Sequence, residues 1–252
     1  MKKISMLVLS LVLTTAGFIT SRAQSPESNP STYQAYLNRS ASDALKAWED
    51  EVSAAESGVK ASANDDTKFR LALAHYGLLN STMRSMDETT FKKYADNAVT
   101  NLESIKDKHA GEAMAVLAAV HGLQMAYDQS KGMYLGPRSS ALLSKARKTD
   151  PSSPLVWRLY GNSMMHTPEA YGGDVAEAIT AYEKSLALYE AAPDRIKNNW
   201  MYIDTMAFLG QAYVKNNEPS KAIKVYEKAL TVEPAYGWIK YNLLPGAQAK
   251  AK

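Results

Sequence analysis

The chain has no cysteine among its 252 residues. Disulfides, thiolate metal sites, cysteine nucleophiles and lipidated cysteine anchors are therefore excluded. It has little net charge to offer a partner. The formal +3 arises from 29 Lys+Arg against 26 Asp+Glu, and three of the bases (Lys2, Lys3, Arg22) lie in the acid-free residues 1–23, which leaves 26 against 26 in the rest. Lys221, Lys224 and Lys228 are interspersed with Glu218, Glu227 and Glu233, the mark of a solvated helix face, and no nucleic-acid track is expected. Catalytic motifs are missing too. The four histidines (His75, His109, His121 and His166) do not pair at metal-ligand spacing, and there is no His-Glu-x-x-His, no G-x-S-x-G and no Gly-Lys-Ser/Thr phosphate loop. The expectation is a non-enzyme with no metal and no cofactor.

One long apolar run is present, Ile4–Ile19, and its 16 residues fall short of the roughly 20 that span a bilayer. With Lys2 and Lys3 before it and the small residues Ser21 and Ala23 after it, residues 1–23 read as a secretory signal peptide cleaved after Ala23. The mature chain is then expected to lack a membrane span and to be periplasmic or secreted. Residues 24–32 (QSPESNPST) read as a flexible polar lead-in.

From Tyr33 onward, apolar residues recur at three- and four-residue spacings and no alternating strand pattern occurs. The expected helices are 33–57, 67–84, 88–106, 110–129, 137–148, 154–166, 175–190, 196–215, 219–232 and 235–249. Ser85 with Glu88 and Asp174 with Glu177 have the spacing of capping pairs, and Pro137, Pro154 and Pro219 suit first helical turns. Asp150-Pro151 and Glu233-Pro234 mark helix ends.

A repeat underlies this pattern. Met206-x2-Leu209-Gly210-x2-Tyr213, then Ala222-x3-Tyr226-x2-Ala229 and Pro234, is similar to the tetratricopeptide repeat (TPR), with Met206 in place of the leading tryptophan. Trp157-x2-Tyr160-Gly161-x2-Met164, followed by Ala178 and Tyr182, is a looser copy, and weaker ones centre on Gly122 and Gly77. Small residues at Gly210, Ala222 and Ala229 suit a close crossing of two antiparallel helices. The resemblance implies an all-α, TPR-like α-solenoid of about four helix pairs over 67–236, in a protein of exported bacterial type. An N-terminal helix and linker (33–66) precede the repeats and a capping helix (237–252) follows them. An irregular helical bundle with one TPR-like hairpin is the competing architecture.

The resemblance also implies a concave groove, lined by the first helix of each pair, that takes a protein or peptide. On a helical wheel the groove stripe is polar in the last two copies: Arg158, Asn162 and His166, then Asp204, Gln211 and Lys215. It is apolar in the first two: Leu71, His75, Leu78 and Thr82, then Val116, Val120, Leu123 and Tyr127. Either this apolar half is open to a partner or residues 33–57, or neighbouring helices, cover it as core. Two extended loops, 131–137 and 167–174, carry Tyr134 and Tyr171 among glycines. These tyrosines are either contact residues or plugs folded between hairpins. The reading is a partner-binding scaffold using Arg158, Asn162, His166, Asp204, Gln211, Lys215, Tyr127, Tyr134 and Tyr171. The alternative is a small-ligand protein whose pocket the two tyrosine loops close.

Overall fold

A computed structural model describes residues 27–38 and 44–252. The expected leader, its cleavage point after Ala23, and residues 24–26 and 39–43 lie outside the described residues. Eleven α-helices are present among the residues described: α1 Pro30–Leu37, α2 Ala44–Ala61, α3 Asp65–Ser85, α4 Glu88–Glu103, α5 Ala110–Tyr127, α6 Gly132–Thr149, α7 Pro154–His166, α8 Val175–Glu190, α9 Trp200–Lys215, α10 Pro219–Val232 and α11 Leu244–Lys250.

Local chemistry sets the starts. Asn64 and Thr67 form a capping box on α3, Ser153 caps α7 ahead of Pro154, Asp174 accepts from the amides of Ala176 and Glu177, and Asn199 accepts from Tyr202. Asp150 and Glu233 stand at the ends of α6 and α10, each before its proline.

Several expectations are corrected. The helix expected over 33–57 is two described helices, α1 and α2. The cap of α4 is Asp87, whose carboxylate accepts from Thr90 N, and not Ser85. The expected loop 131–137 is largely helix: α6 begins at Gly132, so Pro137 lies inside it and not in its first turn. The lead-in is not free at its end. Glu27, Ser28 and Thr32 are buried, and Asn29 caps α1 with Pro30 at its first position.

The helices pack as consecutive antiparallel pairs, α3/α4, α5/α6, α7/α8 and α9/α10, with α1 and α2 before them and a helical run over 237–250 after them. The fold is an all-α, TPR-like solenoid. Crossing geometry explains the glycines. A Cβ on Gly210 would overlap the Tyr226 ring, and one on Gly161 would lie 2.9 Å from the Tyr182 ring, each ring coming from the second helix of the same pair. Gly122 does not share this role, since nothing lies within 4 Å of its added Cβ. In that pair the approach is one turn earlier, where the buried Ser139 hydroxyl donates to the Ala118 carbonyl at 3.4 Å. Gly77 receives the Trp48 ring of α2, so its partner precedes it in the chain.

Candidate functional site

The first helices of the pairs, α3, α5, α7 and α9, converge on the inner face. Tyr76 of α3 accepts from Arg158 Nη1 of α7 at 3.5 Å, and its ring lies 6.2 Å from Trp200 of α9. The curvature is thus tight enough for the first and last pairs to meet. Trp48 packs edge-on against Trp200 at 5.5 Å, and Tyr36 of α1 stacks on the same indole at 5.4 Å. Leu71, His75, Leu78, Thr82, Val116 and Val120 are buried, while Leu123 and Tyr127 are half-buried. The apolar half of the expected groove is therefore core, with α1 and α2 packed on its α3 portion and α7 on its α5 portion. The physical reason is area: an apolar stripe on two neighbouring helices is stabilised by covering it.

Two of the expected contact residues lie inside this core. Arg158 and Asp204 are 2% and 3% exposed and form an ion pair with each other. Asp204 Oδ1 also accepts from the Tyr36 hydroxyl at 2.5 Å. A buried guanidinium needs this company, because an unpaired charge in a low-dielectric interior is strongly unfavourable. Neither group lies at the surface.

The other polar residues gather at the mouth of the face, around Phe208. Asn162 Oδ1 accepts from Tyr182 Oη at 2.6 Å, and the His166 ring lies edge-on to Phe208 at 6.0 Å. Gln211 Nε2 donates to Ala207 O at 3.4 Å, and Lys215 Nζ donates to Met165 O at 2.9 Å, tying the end of α9 to α7. Trp238, which the wheel did not include, closes the cluster edge-on to Phe208 at 6.1 Å. His166 and Lys215 are exposed; Asn162, Phe208, Gln211 and Trp238 are half-buried. Partial burial of the imidazole, then the Lys215 and Arg158 charges, hold His166 below the usual histidine range.

The three tyrosines lie apart from this cluster. Tyr127 donates to Thr82 Oγ1 at 3.0 Å and packs on Phe91, joining α5 to α3 and α4. Tyr134 and Tyr171 are 60% and 82% exposed, so the plug reading is corrected: neither fills a gap between hairpins. Open clefts of about 500 Å³, between α1 and α2, and about 380 Å³, beside residues 169–176, are lined by neither tyrosine. They give no support to a pocket closed by the two loops. Among the described residues no group of three His, Asp or Glu is placed to hold a metal, and no helix is long and apolar enough to cross a membrane.

A second polar assembly was missed from sequence. Glu27 is 1% exposed, and its carboxylate accepts from Asn199 Nδ2 at 3.1 Å and Tyr189 Oη at 3.2 Å, with Arg195 Nη2 at 3.4 Å. Arg195 also faces Glu112 at 3.7 Å, and Glu112 accepts from Ser153 Oγ at 2.8 Å and meets His109 Nδ1 at 2.8 Å. His109 Nε2 reaches Asp66 at 2.9 Å. Acid and base thus alternate along one edge of the array, from α3 to the start of α9. The Asn29-Pro30 capping signal could have shown that a helix, not a free lead-in, follows Glu27.

Residues 203–236, which are most of α9, all of α10 and the turn after it, match the tetratricopeptide repeat family. No curated protein matches the chain. The match places a tetratricopeptide repeat at the end of a succession of helix pairs, and such repeats generally serve as scaffolds for protein interaction.

Proposed function

We propose that this chain is a non-enzymatic scaffold of the bacterial envelope that binds a protein or peptide at the mouth of its inner face. One observation carries the choice of surface: an aromatic floor, Phe208 and Trp238, is rimmed by the exposed His166 and Lys215, and Lys215 ends on a backbone carbonyl and not on a carboxylate. An apolar side chain beside an acidic one would bury area on the rings and pair with the ammonium. Asn162 and Gln211 would orient the partner's backbone.

Export is the second half of the proposal. It rests on the basic start, the 16-residue apolar run and the small residues Ser21 and Ala23. Sequencing the N-terminus of the protein recovered from cell fractions tests it, with Gln24 as the expected first residue.

The binding test is a triple substitution, Asn162→Ala, Gln211→Ala and Lys215→Ala. Capture of a partner from an envelope extract should fall while the helical circular dichroism stays unchanged. Undiminished capture by the folded triple variant ends the mouth assignment.

A further inference from the structure

The N-terminal segment is held as a ligand is held, by receptors far along the chain. The Glu27 carboxylate occupies a fully buried subsite built from Tyr189, Arg195 and Asn199. Ser28 forms an antiparallel bridge with Asn199, and its hydroxyl donates to Arg195 O at 3.1 Å. Six positions beyond Glu27, Tyr33 donates to Glu233 Oε2 at 2.9 Å. Nine positions beyond it, the Tyr36 ring lies on Trp200 and its hydroxyl meets Asp204 and Tyr236.

The segment's own neighbour, α2, also packs against it. α1 has 8 residues, too few for stability alone, and an open cleft of about 500 Å³ separates part of it from α2, lined by Pro30, Ser31, Gln34, Asp50 and Glu51 among others. The polar contacts described above are thus to residues far along the chain, while α1 also packs on α2 and α3.

We propose that the inner face is a receptor for a polypeptide segment carrying an acid followed six and nine positions later by tyrosines, that residues 27–37 are its resident occupant, and that a segment of this pattern in another protein exchanges with them. This goes beyond the mouth reading and uses a different surface, so either can fail without the other.

The acid subsite couples its occupancy to a proton. The groups facing Glu27 are Glu112 from α5, Tyr189 from α8, Arg195 from the turn before α9 and Asn199 at its cap. Burial and the Glu112 charge push the Glu27 carboxyl up to about 7, against the opposing pull of Arg195, Asn199 and Tyr189. A free segment, with an ordinary glutamate, takes up a proton on entering between about pH 4.5 and 7. In the unaltered chain the departing Glu27 releases the proton that the incoming acid takes up, so exchange there carries no net pH dependence. On a Glu27→Lys chain, whose resident segment brings no acid, binding should be about tenfold tighter at pH 6 than at pH 8.

The probe is a fluorescent peptide of residues 24–38, added to the full chain. A chain carrying Glu27→Lys, its resident anchor weakened, should bind the peptide at least about tenfold more tightly than the unaltered chain does. A peptide that itself carries Glu27→Lys should not bind. Failure of the folded E27K chain to bind the unaltered peptide, or equal binding of the two peptides, overturns the proposal. Should E27K not fold, the unaltered chain still decides it: excess peptide should speed hydrogen exchange in residues 28–37 while α9 stays protected. Unchanged exchange there overturns it. A dimer of the unaltered chain that the peptide dissociates would assign the face to a second copy and overturn the partner form.

Discussion

The Tyr36 hydroxyl donates to Asp204 Oδ1 at 2.5 Å, while Asp204 Oδ2 takes the Arg158 guanidinium. Through that one carboxylate the N-terminal helix is bonded to the last repeat, and the last repeat to the one before it. The acid was expected to face a partner. Here it is instead the hub that closes the inner face.

Removing the hydroxyl should cost little by itself. Tyr36→Phe keeps the ring on Trp200 and leaves Asp204 its arginine. The expected loss is about 1–2 kcal/mol in urea unfolding. A loss within error would mean that Asp204 does not depend on α1.

Removing one member of the ion pair should cost more. Arg158→Met leaves a carboxylate buried without its counter-charge, and a loss of about 3–5 kcal/mol is expected. Combining it with Asp204→Leu removes both charges and should recover most of that loss. A double variant as unstable as the single one would show that packing, not charge, governs the hub.

The glycines should divide by geometry. Gly210→Ala forces its methyl into the Tyr226 ring and should destabilise by about 1–3 kcal/mol. Gly122→Ala meets open space in a helix interior and should gain up to about 1 kcal/mol from helix propensity. Thermal unfolding of the two variants checks the contrast, and similar shifts would contradict it.

Acid sensitivity should trace in part to His75, with His121 acting in the same sense because burial pushes its pKa down to about 4 as well. The His75 ring is buried, neither nitrogen has a hydrogen-bond partner, and burial pushes its pKa down to about 4. Between pH 6.5 and 4 the unfolded chain therefore binds a proton that the folded chain refuses, so stability falls as pH falls, by up to about 3 kcal/mol. His75→Leu should remove His75's share of that fall and leave the share of His121. His109 acts in the opposite sense. Burial opposes its charge, but Glu112 and Asp66 outweigh burial and raise its pKa, so its contribution is present at low pH and fades as pH rises through the raised value.

Legibility from sequence followed the range of each interaction. The last hairpin was readable because Gly210, Tyr213, Ala222 and Tyr226 belong to one helix pair and meet within 16 residues of one another. The Gly122 copy was misread in register, since a periodic run of small residues offers two crossings one turn apart and only the second helix selects Ala118. The mouth was readable in part: the wheel brought Asn162, His166, Gln211 and Lys215 to one face, but Trp238 arrives from a later element with no periodic link to them. The Glu27 subsite had no local sign at all, because its donors lie 162 to 172 residues away.

By itself, then, the sequence determined the helices, some of their caps and the pairing of neighbours, because periodicity, capping and small-residue crossings act over one or two turns. Only the tertiary structure decided that the inner face is filled. That outcome depends on how tightly four helix pairs curve and on which distant segment fits the resulting space. These are properties of summed packing angles, which no short stretch of residues encodes.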